Sequence, residues 1–319
     1  MSTLDRLHLI TEQPTAEFCK SLCEKGGGIA YRSGQVVTHV TGRGAQYYVL
    51  ATEAEAIQDA RQAVVDLTGY DNCGFSPGAM SRALWRWYDY PVVNEPKYRE
   101  VHGILPEQYH YQAAAPCRMA EAVLYDMRSA YAQIVERLGT PHWRRTEDGG
   151  VEQFPSLPKR QSKWEQIIPL LTAHKYLRVG FVGVQIPLTA GRQAPNRGVF
   201  TKSGEVQKGR PPAAAQVFAA LVIRITYELV QMAQIEGDAW YANIDSVMLN
   251  QKGGPKKPDV WDRYGIRYSE KGRGEAHVLR VGAYRIGDTV SGLYEPEGLK
   301  EITKPKRIEC KFVNLIGGK

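Results

Sequence analysis

Two short segments of the sequence place an aspartate where it could bind a metal ion. Asp126 ends an apolar run just before a helical pattern begins, and Asp245 lies at the bend of a predicted hairpin. A buried carboxylate is unfavourable unless something pairs with it, and two neighbouring carboxylates repel unless a divalent cation lies between them. Two carboxylates on adjacent strands are the arrangement that a two-metal phosphoryl-transfer site requires.

Four short motifs follow one another along the chain, and two of them contain these aspartates. DMRSAY begins at Asp126, KYLRVGFVG at Lys175 and YANIDS at Tyr241, and GAY ends at Tyr284. In order and spacing they resemble motifs A, B and C and the primer-contact motif of family-B DNA polymerases. The branch they resemble most is the protein-primed one of phages and plasmids. The resemblance covers roughly residues 76 to 290.

The resemblance implies a role for most residues of the first and third motifs. Asp126 and Asp245, helped by the backbone carbonyl of Met127, would hold two Mg²⁺ ions, with Mn²⁺ able to replace them. Ser129 would contact the triphosphate of a dNTP. Tyr131 would stack under its sugar and exclude a 2′-hydroxyl, which favours deoxynucleotides.

The remaining motifs imply contacts to the leaving group and to DNA. Lys175, with Arg178 one helical turn away, would bind the nucleotide and neutralise charge on the leaving pyrophosphate. Because Gly282 stands where the primer motif has a lysine, an arginine on either side would have to substitute for it. The residues implied to contact primer or template are Ser246, Tyr284, Arg280, Arg285 and Tyr111.

Other departures from the family pattern keep a second interpretation open. Asn243 replaces the first aspartate of motif C, and Ala132 replaces the proline that follows motif A. In motif B the usual Asn, Ser and Tyr are replaced by Val179, Gly180 and Val182. The alternative is a catalytically silent, polymerase-derived module that binds DNA or a replication partner. A metal-dependent nuclease is less favoured, because it gives no reason for Tyr131 or Lys175.

Hydrophobic periodicity and turn residues predict the elements that would position these motifs. Short antiparallel strands are predicted over residues 26–51, a strand that ends at Asp126, a hairpin over 239–250 and a strand or hairpin over 277–290. Helices are predicted from Thr52, where Glu55 completes a capping box, from Ser76, over 129–139 and over 213–237. Another helix is predicted from Lys163 through at least Val179, with an interruption at Pro169. Residues 140–162 are predicted to form a loop or an insertion, and the basic stretch 187–212 a mobile loop.

This order of elements, with the resemblance, predicts an α+β fold. It would contain a polymerase palm, an antiparallel sheet backed by helices, with short helical fingers and a minimal thumb. We expect residues 1–110 to form an N-terminal α/β region, either a decayed exonuclease-like domain or something unrelated. Residues 111–290 would be palm and fingers, and 291–319 a basic thumb stub. Residues 1–110 hold no Asp-x-Glu on an apolar strand, so no proofreading centre is expected.

The composition of the chain limits its possible binding partners and cellular compartment. A formal net charge of +7 makes polyanions plausible partners. The five cysteines have irregular spacing, which favours reduced thiols over disulfides. Because Cys19 and Cys23 lie one helical turn apart, a zinc site is a less favoured alternative. No apolar run approaches the roughly 20 residues that span a bilayer, and the N-terminus lacks a signal-peptide pattern. We expect a cytoplasmic protein, in bacteria or in the host cytoplasm if phage-encoded, with no membrane contact.

These features together predict a template-directed DNA polymerase without proofreading. Its partners would be primer-template DNA and dNTPs, together with a processivity or replication protein.

Overall fold

The computed structural model describes residues 6–33, 35–88, 101, 103–104, 117–183, 199–200, 213–237, 239–280, 283–291 and 310–317. The chain divides into two units, each assembled from two stretches of sequence. The first contains residues 1–101 and 140–219, and the second contains residues 102–139 and 220–319. The domain boundaries expected at residues 110 and 290 stay predictions.

The described residues form thirteen strands and eight α-helices. The strands are β1 (Leu7–Ile10), β2 (Ile29–Ser33), β3 (Val36–Thr41), β4 (Gly44–Leu50), β5 (Cys117–Met127), β6 (Trp143–Arg145), β7 (Val151–Gln153), β8 (Val199–Phe200), β9 (Ala239–Asn243), β10 (Ser246–Asn250), β11 (Tyr268–Arg280), β12 (Ala283–Ile286) and β13 (Thr289–Ser291). The helices are α1 (Ala16–Gly26), α2 (Ala54–Thr68), α3 (Pro77–Trp87), α4 (Ala130–Leu138), α5 (Pro158–Ala173), α6 (Lys175–Gly183), α7 (Ala213–Glu236) and α8 (Asp259–Arg263).

The first unit contains a five-stranded sheet in the order β1–β4–β3–β2–β8. The antiparallel strands β2, β3 and β4 confirm the strands predicted over residues 26–51. One face of the sheet packs on α2 and on the segment before α3, where Val36, Val49, Ile57 and Phe75 are fully buried. α3 begins as predicted: the Ser76 hydroxyl accepts the Ala79 N–H at 3.1 Å, and Pro77 follows.

Two local predictions in this unit were wrong, and the structure decides between the alternatives of a third. The capping box at Thr52 does not form, because residues 51–53 make a 3₁₀ turn and α2 starts only at Ala54, without a side-chain cap. Residues 140–162 contain the β6–β7 hairpin and the start of α5, so of the two predicted alternatives they form an insertion and not a loop. The helical segment does not break at Pro169, which lies inside α5, but at His174, whose backbone is extended. Burial of the α5 side chains around Pro169 outweighs the one hydrogen bond that proline removes.

The second unit contains a six-stranded antiparallel sheet in the order β13–β12–β11–β5–β10–β9. β5 is the strand predicted to end at Asp126, and β9–β10 and β11–β12 are the two predicted hairpins. One face of the sheet carries a fully buried cluster that includes Ala122, Tyr241 and Met248. Leu124 also belongs to this cluster, so Asp126, two residues further along β5, lies on the same face.

The sheet curls so far that aromatic rings from its two sides meet across this face, which is therefore concave. The ring centroid of Tyr241 on β9 lies 5.2 Å from that of Tyr284 on β12. In a flat sheet β9 and β12, four strand spacings apart, would be separated by about 19 Å. Register shifts in β11, between Glu270 and Gly272 and between Gly274 and Ala276, increase the local twist and permit the curl.

Helix α7, predicted over 213–237, is long and apolar enough over Gln216–Glu236 to cross a membrane by composition alone. Its side chains are, however, mostly buried within the protein, with 78% of the most apolar window covered. α7 is therefore placed as a core helix. Trp261 of α8 packs against it and donates its indole N–H to the carbonyl of Leu229 at 3.0 Å.

Helix α7 also holds the described part of the C-terminal region, residues 310–317. The fully buried carboxylate of Glu228 accepts the backbone N–H groups of Lys311, Phe312 and Val313 at 2.9, 2.7 and 2.7 Å. Arg224, one turn earlier, pairs with the same carboxylate at 2.8 Å. A short 3₁₀ helix over Val313–Ile316 follows this contact. The expected thumb role of residues 291–319 stays a prediction.

Candidate active site

Asp126 lies near the end of the central strand of the curled sheet. In the ladder it pairs with Ser246 on β10 and with Ser269 on β11. Two small hydroxyl side chains thus flank the carboxylate on its own face. The strand ends one residue later at Met127, and the chain turns into α4.

Asp245 lies in the two-residue turn between β9 and β10. The turn is tight: Ile244 has a positive φ of 34°, and the Ser246 hydroxyl donates to the Asn243 carbonyl at 3.0 Å. The carbonyl of Asp245 accepts the N–H of Met127 at 2.8 Å. This bond joins the turn to the end of β5, so the two predicted metal-binding aspartates, 126 and 245, are brought to one edge of the sheet.

A lysine that the sequence analysis did not single out places a positive charge beside Asp126. The ammonium of Lys271 lies 3.9 Å from a carboxylate oxygen of Asp126. Burial raises the pKa of Asp126, and the charge of Lys271 opposes that rise. Lys271 occupies the first register shift of β11, between Glu270 and Gly272. Its position beside Asp126 depends on strand pairing between distant parts of the chain, which the local sequence does not show.

The predicted primer-contact residue Tyr284 shares the concave face with Asp126. Burial raises the pKa of the Tyr284 hydroxyl, a hydrogen bond with Ser291 lowers it, and the negative charge of Asp126 raises it further. Arg285, its neighbour on β12, donates from Nε to the Gly287 carbonyl at 3.1 Å. Arg280 ends β11. Tyr111 lies outside the described residues, as does most of the basic stretch 187–212.

The two predicted nucleotide contacts that follow Asp126 lie at the start of α4. Ser129 is the N-cap residue, with left-handed backbone angles of 52° and 48°, and its side chain makes no capping hydrogen bond. Its carbonyl accepts the N–H of Gln133 at 3.2 Å. Tyr131 lies in the first turn of the helix and is partly buried. Both therefore follow directly on the strand end that carries Asp126.

The two predicted basic residues of motif B belong to the first unit. Lys175 is the first residue of α6, and Arg178 donates from Nη1 to the Thr172 carbonyl at 3.1 Å, across the break between α5 and α6. Asp126 and Asp245 belong to the second unit.

The donor set at the sheet edge fits Mg²⁺. Magnesium in phosphoryl-transfer sites takes one or two carboxylates, keeps several waters and completes its shell with substrate phosphates. Asp126, Asp245 and the Met127 carbonyl offer oxygen donors of this kind, and their role as metal ligands stays a prediction. Within the described ranges no cluster of three or more His, Cys, Asp or Glu side chains could hold a metal by itself.

The cysteine pair on α1 is suited to packing. Cys19 and Cys23 are fully buried in a cluster with Ala30 and Val37. Burial raises the pKa of Cys19 to about 11, so its thiol stays protonated at neutral pH. Zinc binds the thiolate, so this environment disfavours Cys19 as a ligand.

Comparison with known proteins gives structural matches only. No family model matches the sequence. No curated protein matches it either. Among solved structures, the family B DNA polymerase of the hyperthermophilic archaeon Pyrobaculum calidifontis is similar at 13% identity and a TM-score of 0.38, over 75% of this chain. The chain spans 36% of the length of that polymerase.

Phi29 DNA polymerase is also similar, at 10% identity over 93% of this chain and 82% of the phage enzyme. Its TM-score is 0.48 for the orthorhombic crystal form and 0.46 for the complex with primer-template DNA and incoming nucleotide substrates. At these TM-scores the similarities assign no function, and any functional proposal depends on the residues of this chain.

Proposed function

We propose that this chain is a template-directed DNA polymerase that adds dNMP to a primer end by two-metal phosphoryl transfer, without proofreading. The observation that carries the proposal is the 2.8 Å hydrogen bond from Met127 N–H to the Asp245 carbonyl. It joins two motifs that lie more than a hundred residues apart in sequence. Two carboxylates thereby share one edge of an antiparallel sheet, in the order of the polymerase motifs.

Asp126 and Asp245, with the Met127 carbonyl, would hold the two Mg²⁺ ions. When bound, Mg²⁺ neutralises phosphate charge and activates the attacking hydroxyl of the primer. The residues around the carboxylates set their charge balance. Lys271, 3.9 Å from Asp126, opposes the rise in the pKa of that carboxyl that burial causes.

The roles of the nucleotide and primer residues follow from motif and position. Ser129 and Tyr131 start the helix that leaves the Asp126 strand, which suits contacts to the triphosphate and sugar of the incoming nucleotide. The negative charge of Asp126 contributes to the raised pKa of the Tyr284 hydroxyl, which suits a residue beside the site that positions the primer end. Lys175 and Arg178 are assigned to the pyrophosphate by the motif alone.

The substrates are primer-template DNA and dNTPs. A net charge of +7 supports a polyanionic partner. These ligands are the ones that the polymerase-like motifs of this chain imply.

The test is primer extension by the purified full chain, with labelled primer-template, dNTPs and Mg²⁺ or Mn²⁺. Asp126→Asn and Asp245→Ala should each abolish extension. Asp288→Asn is the matched control, because Asp288 lies exposed in the β12–β13 turn of the same sheet, and it should extend normally. Failure of the unmodified chain to extend any primer with either metal would overturn the proposal.

A further inference from the structure

An open pocket of about 490 Å³ lies at the end of the curled sheet, beyond Met127. Its lining residues are Arg128, Asp262, Gly265, Ile266, Arg267 and Tyr268. All of them belong to the second unit. None was assigned a role by the sequence motifs.

A buried glutamine separates the two strands at this pocket. Arg128 and Arg267 continue the β5–β11 ladder, and the N–H of Arg128 donates to the Arg267 carbonyl at 2.9 Å. The return bond of the pair is replaced by the Gln133 amide. Arg267 N–H donates to Gln133 Oε1 at 2.8 Å, and Gln133 Nε2 donates to the Arg128 carbonyl at 2.5 Å and to the Arg267 carbonyl at 3.0 Å.

This bridge fixes the backbone positions from which two arginine side chains of like charge project. A hydrogen-bonded antiparallel pair normally exchanges both backbone bonds, so the inserted amide holds the two strands apart in a defined geometry. Gln133 is only 2% exposed, which means that its three hydrogen bonds are protected from water. Two arginines directly opposite each other repel. The fold nevertheless holds Arg128 and Arg267 in this arrangement.

No carboxylate neutralises these arginines among the described residues. Asp262 lines the same pocket, but its Oδ2 accepts from the Lys257 ammonium at 2.9 Å and from the Tyr268 hydroxyl at 3.2 Å. A third guanidinium lies at the rim, where Arg137 Nη2 donates to the Gly265 carbonyl at 2.7 Å. The pocket is therefore positively charged, and its one acidic lining residue is occupied.

We infer that this pocket is a phosphate-binding site. Arg128 and Arg267 are the ligands, and Gln133 positions their backbones without touching the ligand. A guanidinium presents paired N–H donors that match phosphate oxygens, and two opposed guanidinium groups are relieved of their repulsion when an anion lies between them. The phosphate can belong to a nucleic-acid strand or to a free nucleotide. The inference depends on this pocket alone and does not require the proposed polymerase activity.

The experiment measures binding by the full chain in EDTA, so that no metal-dependent step contributes. One arm follows the fluorescence anisotropy of a labelled thymidine oligonucleotide across a salt series, and the other titrates a labelled dNTP. The variants are Arg128→Gln, Arg267→Gln and the double change. The control is Arg273→Gln, which removes an exposed arginine of β11 already paired with Glu270 at 2.8 Å.

Each single change should weaken binding about tenfold at low salt, as expected when a charge-assisted hydrogen bond to the phosphate is removed. If the phosphate belongs to a strand, the slope of log K against log salt also falls by about 0.7 for each arginine–phosphate pair that a variant removes. Weaker binding in the oligonucleotide arm identifies a strand phosphate, and weaker binding in the dNTP arm alone identifies a nucleotide. Arg128→Lys should restore part of the binding, because it keeps the charge.

Two further readouts separate this site from a structural role and from the proposed function. Arg128→Gln and Arg267→Gln should melt no lower than the unmodified chain, because each removes a repulsion. Asp126→Asn should bind the probes in EDTA at least as tightly as the unmodified chain, whatever its effect on extension. The inference is overturned if the double variant binds both probes as the Arg273→Gln control does.

Discussion

The N–H of Met127 donates to the carbonyl of Asp245 at 2.8 Å, which joins the end of the central strand β5 to the β9–β10 turn. This backbone bond holds the β9–β10 turn, and Asp245 with it, against the end of the strand that carries Asp126. Because this bond joins backbone atoms, side-chain substitutions at this end of the sheet leave it in place. Their effects on stability and on activity can therefore be measured separately.

Asp126→Asn should stabilise the fold while abolishing primer extension. Because burial raises the pKa of Asp126, the folded state favours its protonated form. The stability that this carboxyl contributes is present at low pH and is lost as the pH rises through the raised pKa. In thermal unfolding the variant should therefore melt above the unmodified chain at pH 7, and the difference should shrink toward pH 4. Asp288→Asn should show neither effect, and a lower melting temperature for Asp126→Asn at pH 7 would contradict the argument.

Lys271→Met should strengthen divalent-cation binding. The Lys271 ammonium, 3.9 Å from Asp126, repels any cation held by that carboxylate. For a half-exposed pair the effect is modest, so the half-saturating Mn²⁺ concentration, measured by electron paramagnetic resonance, should fall about two- to fivefold. Lys257→Met, which removes a lysine paired with Asp262, is the control and should leave it unchanged. A rise in the Mn²⁺ requirement would show that Lys271 supports the site.

Ile244→Asn should stabilise the β9–β10 turn. Ile244 is a β-branched residue held at a φ of 34°, where Asn and Gly are favoured, and its side chain is exposed. Relief of this strain should raise the free energy of unfolding by about 1 kcal/mol in chemical denaturation. Val290→Asn changes an exposed residue of the same sheet that has no positive φ, and it should give no gain. Equal effects of the two changes would exclude backbone strain as the cause.

Glu228→Ala should release the 310–317 segment. It leaves Arg224 and three backbone N–H groups without their acceptor, so the loss should be about 3–5 kcal/mol in the free energy of unfolding. Protease cleavage within 310–317 should accelerate at the same time. Glu236→Ala, which breaks the exposed pair with Arg263, should cost at most about 1 kcal/mol. A similar loss in both variants would mean that Glu228 does not anchor the segment.

The predictions that succeeded concern local patterns. The apolar run before Asp126 and the hairpin around Asp245 follow from alternation and turn residues, which act over a few positions. The break at His174 and the absence of a cap at Thr52 were missed. The helix continues through Pro169 because the α5 side chains around it are buried. At Thr52 the chain makes a 3₁₀ turn before α2, which a capping-box pattern does not distinguish from the first turn of a helix.

Two long-range contacts near Asp126 could not be predicted from a single sequence, for a different reason. Lys271 approaches Asp126 only because the register shift in β11 places it there, and Gln133 bridges two arginines from separate strands. Both contacts join positions more than a hundred residues apart. Nothing in the local pattern around Gln133 distinguishes it from an ordinary buried helix residue.

The ring contact between Tyr241 and Tyr284 has a consequence for how the second unit opens. The contact links β9 to β12 across the concave face, so opening on one side removes packing from the other. We expect the strand that leads into the Asp245 turn and the strand that carries Tyr284 to open together, as one cooperative unfolding unit. Their amide protons should exchange with solvent at matching rates, and Tyr241→Ala should accelerate exchange in β12 as much as in β9.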